Sequence, residues 1–227
     1  MQRTLILAAH PDDEVVGLGS QLAQFEDLHT AHVTDGAPAN MRDAASHGFR
    51  TRTEYAEARR RELHSALRLA GIAPQQCFTL GIADQEASCQ MAAIARRLRD
   101  VFERLEPALV YTHPYEGGHP DHDAVAFAAR CACKLMGDGA PALVEFTSYH
   151  ARNSAIEVYE FLPHPGCEPV VIELSPAATA IKDRMLDAFA TQRETLRPFY
   201  GCKAEKWRFA PEYDFTAPPH AGTLYYD

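Results

Sequence analysis

Short apolar runs alternate with amphipathic segments along most of this sequence, and that alternation constrains the fold more than any other feature. Residues 5–9 and 108–112 are apolar runs of strand length, while residues 54–69 and 121–136 carry the apolar spacing of helices. Strands that alternate with helices are typical of a largely parallel sheet with helices on both faces. The sequence therefore predicts a Rossmann-like α/β fold.

The same patterns predict the remaining elements. Further strands are expected at residues 30–34, 77–80, 143–149, 158–162 and 170–174, and further helices at 17–28, 91–105 and 176–193. Residues 37–52 are small and polar, which is typical of a loop. Residues 198–227, the aromatic tail, mix Phe, Tyr and Trp with Pro without a period, and we expect them to wrap the domain or to contact another subunit. We predict one domain over residues 1–227, with residues of about 165–227 as its variable part.

Composition excludes several classes of function. The net charge is −9 and no basic stripe is present, so we expect no nucleic-acid partner. No apolar run approaches membrane-spanning length, and no basic leader precedes the first apolar run, which argues against membrane insertion and a signal peptide. The six cysteines form no CxxC pair, and we predict reduced thiols in a cytoplasmic protein.

Two related segments carry the chemistry. Residues 10–14 read His-Pro-Asp-Asp-Glu and residues 119–123 read His-Pro-Asp-His-Asp, and each lies between a predicted strand and a predicted helix. A Pro followed by acids is a common helix start, which explains Pro11 and the acids after it. It does not explain a His before the Pro at both places. Because ligand clefts in α/β sheets form beyond the carboxyl ends of strands, both segments are candidate site loops.

The residue types in these segments suit a divalent metal ion. Zinc accepts imidazole nitrogen and carboxylate oxygen, and catalytic zinc sites keep about three protein ligands and a position for water. We predict His10, Asp13 and His122 as these ligands; iron(II) suits the same set. Asp12 and His119 then lie beside the metal, where a hydrolase needs one group to take a proton from water and one to help the developing charge.

At these residues the sequence resembles a known family. Ala9 to Glu14 and Gly118 to His122 resemble the paired motif of the N-acetylglucosaminylphosphatidylinositol de-N-acetylases (PIG-L), also called LmbE-like deacetylases. Weaker support comes from Thr34-Asp35-Gly36, from Arg59 three residues before Glu62, and from Asp84 after a strand, so that the resemblance spans roughly residues 4–150. It implies a Rossmann-like, LmbE-like fold with one zinc ion held by the three predicted ligands.

The resemblance also implies roles for the remaining site residues. Asp12 would be the general base, His119 would stabilise the oxyanion or act as an acid, and Asp121 would orient His119 and keep it protonated. Arg59 and the loop after Asp35 would contact the substrate. Tyr115, before the second motif, is a further candidate for substrate contact, with an ordinary loop aromatic as the alternative.

The function implied is that of a zinc-dependent hydrolase that cleaves a linear amide C–N bond, removing an N-acetyl group from an amino sugar or sugar conjugate. One alternative is a zinc amidase acting on a non-sugar N-acyl natural product or a glycopeptide. Another is a non-catalytic α/β binding module, which would not need Asp12 and His119 beside the ligands. The expected partner is a small N-acetylated molecule; a homo-oligomer is left open.

Overall fold

The computed structural model describes residues 2–152 and 155–227. Nine strands are present in this part of the chain: β1 (Arg3–Ala8), β2 (Asp27–Pro38), β3 (Cys77–Asp84), β4 (Leu109–Thr112), β5 (Ala142–Phe146), β6 (Tyr149–Arg152), β7 (Ala155–Val158), β8 (Val170–Glu173) and β9 (Ala204–Phe209). Seven α-helices accompany them: α1 (Asp13–Leu18), α2 (Arg42–Ser46), α3 (Arg52–Arg68), α4 (Met91–Leu105), α5 (Pro120–Met136), α6 (Pro176–Leu186) and α7 (Arg193–Leu196). None of these described helices is long and apolar enough to cross a membrane.

Seven of the strands form one sheet, in the order β3-β2-β1-β4-β5-β9-β8. The neighbours from β3 to β5 are parallel, whereas β9 runs antiparallel to both β5 and β8. The largely parallel α/β fold is therefore confirmed. The chain moves outward on one side of β1 through β2 and β3 and returns to its other side with β4, so that a topological switch point lies between β1 and β4.

Helices cover both faces of this sheet, as predicted. Successive side chains of a strand point to opposite faces, and β1 shows this directly. Leu5 and Leu7 belong to the core packed under α4 and α5, whereas Ile6 belongs to the core packed under α3 and α6. All three side chains are fully buried, which explains why β1 is apolar throughout.

The helix predicted over residues 17–28 is wrong. Helix α1 starts earlier and ends at Leu18, a single 3₁₀ turn covers residues 22–24, and β2 already begins at Asp27. Leu18 and Leu22 are buried, so their helix-like spacing is satisfied by these short turns. Residues 27 and 28 are needed in the sheet, where Asp27 pairs with Arg3 of β1.

Other boundaries also differ from the predictions. The run 143–149 is divided between β5 and β6, which forms a separate hairpin with β7; of residues 158–162 only Val158 is in a strand. The helix predicted over 176–193 ends at Leu186 and α7 follows separately, and the predicted loop 37–52 contains α2. The aromatic tail contains a whole strand, β9, that inserts between β5 and β8. Its Glu205 and Arg208 are buried in ion pairs with distant residues, so no local apolar period marks this strand.

Candidate metal centre and active site

The two His-Pro-Asp segments meet at the switch point of the sheet. Strands β1 and β4 are parallel neighbours, with Ile6 paired to Tyr111, and both segments leave the sheet at the carboxyl ends of these strands. The first segment leads directly into α1, and the second leads into α5 after the loop 113–119. Two segments more than a hundred residues apart therefore share one cleft.

The helix starts have the expected local structure. Pro120 occupies the first turn of α5, where no intrahelical partner for its missing N–H is needed. His119 caps this helix: its Nδ1 accepts a hydrogen bond of 3.1 Å from the backbone N–H of Asp121. The helix-start explanation thus holds for Pro120 and for the Nδ1 atom of His119. It does not account for His10 and His122, which need a different explanation.

The three predicted metal ligands converge. His122 Nε2 lies 3.2 Å from His10 Nδ1 and 3.2 Å from Asp13 Oδ1, and His10 Nδ1 lies 3.3 Å from Asp13 Oδ2. All three residues are at least nine-tenths buried. Among the described residues, three groups of donors could hold a metal: His10, His119 and His122; Asp13, His113 and His122; and His10, Asp84 and Asp121. The predicted ligands are divided between the first two groups, which share His122.

The spacing of these donor atoms fits a metal ion. Ligands about 2.0–2.1 Å from a tetrahedrally bound zinc lie about 3.3–3.4 Å from each other. The two imidazole nitrogens lie 3.2 Å apart, and each lies 3.2–3.3 Å from one oxygen of Asp13, His122 from Oδ1 and His10 from Oδ2, which is close to this spacing. Two imidazoles and one carboxylate are also a donor set that divalent zinc or iron accepts. The residues present therefore fit the metal that the sequence predicts.

Two carboxylates hold the outer nitrogen of His10. Its Nε2 lies 3.1 Å from Asp84 Oδ1 and 3.3 Å from Asp121 Oδ2. Burial alone would lower the pKa of His10, but the charges of Asp84 and Asp13 and the bond to Asp121 raise this pKa well above its usual value. Carboxylates placed in this way fix the orientation of a metal-binding imidazole and increase its basicity.

The partner of Asp121 differs from the prediction. Its carboxylate accepts backbone N–H groups of Gln85 and Ala87, at 2.7 and 3.0 Å, and contacts His10; only its backbone N–H reaches His119. These two backbone donors turn the carboxylate toward His10. Asp121 therefore orients a predicted metal ligand, and the role predicted for it at the His119 side chain is corrected.

The surroundings of His119 disfavour its charged form. Burial and the adjacent His10 and His122 lower the pKa of His119 to about 3, although the carboxylates of Asp121 and Asp84 act in the opposite direction. These surroundings favour a neutral imidazole over the imidazolium that the family resemblance implies. Since Nδ1 accepts the Asp121 N–H, the hydrogen-bond network assigns the proton of the ring to Nε2. His119 can therefore donate one hydrogen bond from Nε2.

His113 also lies in the cluster but is engaged elsewhere. Its Nε2 is 3.2 Å from Asp13 Oδ2, and the ring stacks on that of His122 with 3.9 Å between the ring centroids. The same Nε2 accepts the backbone N–H of Ala9 at 2.9 Å, so its lone pair is already used. His113 directly follows β4, and this hydrogen bond argues against its serving as a metal ligand, although it belongs to one of the three donor groups.

Asp12 forms a buried ion pair with Arg59. The Arg59 Nη2 donates to Asp12 Oδ2 at 3.0 Å, and the guanidinium is only 2% exposed. Helix α3 carries Arg59, and a reciprocal capping box between Thr51 and Glu54 fixes the start of that helix. Glu14, the last acid of the first motif, instead pairs with His32 of β2 at 3.0 Å and does not contact a predicted ligand.

A cavity of about 180 Å³ opens above the cluster. Besides the predicted residues and Val16 of α1, it is lined by side chains from remote segments: Asp43, Asp84, Ser148, Tyr149, Gln192, Thr195, Leu196 and Phe199. Of these, only Asp84 carried a sequence signal, as a carboxylate after a strand. The others carried no sequence signal and reach the site through tertiary packing alone.

Two predicted substrate contacts lie outside this cavity. Asp35 pairs with Arg52 Nη2 at 2.5 Å and lines a neighbouring cavity of about 550 Å³. Tyr115 donates its hydroxyl to the carbonyl of Ala217 and packs its ring against Phe215 of the tail. The position of Tyr115 corrects the prediction that it contacts the substrate, because the tail holds its side chain away from the metal cluster. Of the three predicted contacts, only Arg59 lines the cavity.

The matches to known proteins agree with this geometry. The family described as "GlcNAc-PI de-N-acetylase" (PIG-L) matches residues 5–133, which contain both His-Pro-Asp segments. The chain belongs to this family. Its name describes hydrolysis of an N-acetyl amide, and the predicted family resemblance is confirmed. None of the curated proteins compared matches the sequence of this PIG-L family member significantly.

Several solved structures share the fold. The zinc-inhibited form of a teicoplanin deacetylase is 17% identical, with 91% of this chain and 97% of that chain covered and a TM-score of 0.67. The N,N'-diacetylchitobiose deacetylase from Pyrococcus horikoshii is 18% identical, with 92% and 84% covered and a TM-score of 0.67. The 4-carboxy-2-hydroxymuconate hydratase from Pseudomonas putida is 16% identical, with 94% and 98% covered and a TM-score of 0.61. At these identities the likeness establishes the shared fold.

Proposed function

We propose that this PIG-L family member is a zinc-dependent hydrolase that removes an N-acetyl group from an amino sugar or a sugar conjugate. One observation carries the proposal. The donor atoms of His10, Asp13 and His122 converge at 3.2–3.3 Å, and Asp12 and His119, which this proposal leaves free of the metal, line the same cavity. A binding site for a metal alone would need only the first three residues.

The chemistry divides between the metal and the side chains. A zinc ion held by the three ligands would lower the pKa of a bound water toward neutrality and polarise the amide carbonyl. Asp12 takes the proton as the water oxygen bonds to the carbonyl carbon, and Arg59 keeps the Asp12 carboxylate pointed at that water. Asp12 then returns the proton to the nitrogen as the C–N bond breaks, which yields acetate and a free amine.

His119 supplies a hydrogen bond to the reacting carbonyl. As negative charge develops on that oxygen, the Nε2–H of the neutral ring donates to it, and the backbone of Asp121 keeps the ring in the donating tautomer. The fixed donor needs no reorganisation during the reaction. In this proposal His119 stabilises charge, and Asp12 carries the transferred proton.

The cavity supports a small polar substrate. Its volume of about 180 Å³ is below the ~300–1,000 Å³ of pockets that take drug-sized ligands. It therefore suits an acyl group and the sugar ring next to it. The buried Nη1 of Arg59 has no hydrogen-bond partner among the described residues, and it is available to an oxygen of the substrate. The fold is also found in a hydratase, so the reaction must be tested directly.

The test is release of acetate by metal-depleted protein after reloading with zinc or iron(II). The substrates are N-acetylglucosamine, N,N'-diacetylchitobiose, an N-acetylated glycopeptide and an N-acetylated non-sugar amine. We expect metal-dependent release from the sugars. Because one solved neighbour is a zinc-inhibited form, zinc is titrated from below one equivalent to excess. Release from the non-sugar amine or the glycopeptide alone would favour the amidase alternative, and release without metal would refute the proposal.

Asp12→Asn is the matched variant for the mechanism. The amide keeps the size of the carboxylate but cannot accept the proton, so we expect activity to fall by about 10²–10⁴-fold. Its metal content should equal that of the unchanged protein, because Asp12 lies outside the ring of ligands. Full activity in Asp12→Asn would remove Asp12 as the base.

A further inference from the structure

The loop that carries His119 is confined on two sides. It joins β4 to α5, and its two glycines have no room for a side chain. A Cβ on Gly118 would lie 2.0 Å from the backbone oxygen of Tyr149, and a Cβ on Gly117 would lie 2.6 Å from Leu224 Cδ2. Gly117 also has a positive φ of 72°, which other residues rarely adopt. The β6 backbone lies on one side of this loop, and the last segment of the aromatic tail lies on the other.

That last segment, residues 219–226, is bonded to the loop. The backbone N–H of Tyr225 donates to the carbonyl of Gly117 at 2.9 Å. The hydroxyl of Tyr226 donates to Asp123 Oδ2 at 2.7 Å. The Tyr225 ring packs edge-on against Tyr149, with 5.4 Å between ring centroids, and Tyr149 packs in the same way against His122. These contacts are made on the His119 loop, on a residue that lines the catalytic cavity, and on Asp123 in the first turn of α5.

Asp123 connects the tail to the site. It is 6% exposed and follows His122 directly in α5. Its Oδ1 accepts the backbone N–H groups of Glu116 and Gly117, at 3.2 and 3.1 Å, so the carboxylate determines how the chain enters the His119 turn. The Tyr226 hydroxyl occupies the other oxygen. A rotation of the Asp123 carboxylate would release both backbone N–H groups, and Tyr226 opposes that rotation.

We propose that Tyr226 is a positioning residue for the catalytic loop, because its hydrogen bond to Asp123 fixes the backbone that aims His119 into the cavity. Neither Tyr226 nor Asp123 is among the residues that line that cavity. The effect therefore reaches the reaction through His119 and not through contact with the substrate. This inference rests on the proposed function for its kinetic consequence, whereas its structural consequence is independent of the activity.

Tyr226→Phe tests the proposal, since it removes one hydroxyl from a ring that is 40% exposed and leaves the fold intact. Tyr200→Phe is the matched control: it removes a Tyr–Asp hydrogen bond to Asp187 away from the loop. In metal-free protein, we expect faster hydrogen exchange of the peptide covering residues 114–119 in Tyr226→Phe and no change in Tyr200→Phe. Unchanged exchange in both variants would overturn the proposal.

Kinetics give the second readout. A displaced His119 should lower kcat by about tenfold with KM and metal content unchanged, because small misplacements of catalytic groups have effects of about that size or larger. Asp123→Asn should stay near the unchanged protein, since its amide oxygen still accepts the loop N–H groups and its NH₂ can donate to Tyr226. A raised KM at unchanged kcat would mean that Tyr226 binds substrate. An equal loss of kcat in Tyr200→Phe would mean a general effect on the protein. Either result refutes positioning.

If the unchanged protein has no deacetylase activity, the proposed function fails, and the hydrogen-exchange experiment still decides this inference.

Discussion

The outer nitrogen of His10 offers the sharpest test of the metal centre. It lies 3.1 Å from Asp84 Oδ1 and 3.3 Å from Asp121 Oδ2. Loss of a carboxylate in this position commonly weakens metal binding by about 10–100-fold. Asp84 is the better target, because Asp121 also accepts two backbone N–H groups that its removal would leave unsatisfied. We therefore choose Asp84→Asn as the perturbation.

The expected change in the zinc Kd is small because Asp84 and Asp121 both contact His10 Nε2. Asp84→Asn keeps the size of the side chain beside His10 Nε2 but removes its negative charge, while Asp121 remains in place. We expect the lower end of the range, a zinc Kd raised by about tenfold, which is about 1.4 kcal/mol. Adding Asp121→Asn should raise the Kd by about 100-fold, with a further loss of stability of about 1–3 kcal/mol from the one backbone N–H that then faces the amide nitrogen.

Zinc affinity is measured by competition with a chelator of known strength, at one fixed and slightly alkaline pH. Thermal unfolding of the metal-free protein shows whether Asp84→Asn keeps the fold, and we expect little change there. Asp138→Asn is the control, since it removes the same charge from an exposed turn after α5. An unchanged Kd in Asp84→Asn would show that this carboxylate does not support His10 and would refute the assignment of His10 Nδ1 as the metal donor.

Three further outcomes are expected. His122→Ala should lose most of its bound metal, and undiminished metal by elemental analysis would contradict the ligand set. Gly118→Ala should destabilise the protein by about 1–3 kcal/mol in denaturant unfolding, since its Cβ would meet the Tyr149 carbonyl; Gly139→Ala, which has open space, is the control, and equal losses would dismiss the clash. Burial raises the pKa of Glu145 from 4.5 to about 7, despite the opposing charge of an adjacent arginine. The folded protein therefore holds this proton more tightly than the unfolded chain, and the stability it contributes is lost as the pH rises from about 4.5 through 7. Glu145→Gln should show a shallower decline of metal-free stability over that window, and parallel curves would contradict the shift.

Much of the candidate site could be predicted because its residues are close in sequence within each motif. His10 and Asp13 lie on one turn, and His119 and His122 lie on another, so local geometry brings each pair together. The two turns both follow parallel strands, and a parallel sheet places such turns at one edge. The structure brings these residues together; their roles as metal ligands, base and donor stay predictions until the metal and the activity are measured.

Side-chain direction was less predictable. Asp121 was expected to orient His119, but two backbone N–H groups from the segment after β3 turn its carboxylate toward His10. Tyr115 was expected near the substrate, but the tail holds it through the carbonyl of Ala217. In both cases the deciding partner comes from another part of the chain, so neither the motif nor its spacing contains the information.

The sequence by itself determined the alternation of strands and helices, the parallel sheet, and the two turns that carry imidazole and carboxylate groups, because each depends on residues within one or two turns of each other. Only the tertiary structure decided that β9 enters the sheet, that Asp84 and Asp121 share His10, and that Tyr226 reaches Asp123. Those contacts join segments far apart in the chain, and their free energy comes from buried ion pairs and hydrogen bonds that form only when the sheet and its helices are already packed. Hydrophobic periodicity indicates which side of a helix or strand is buried. It does not indicate which distant residue will contact that side.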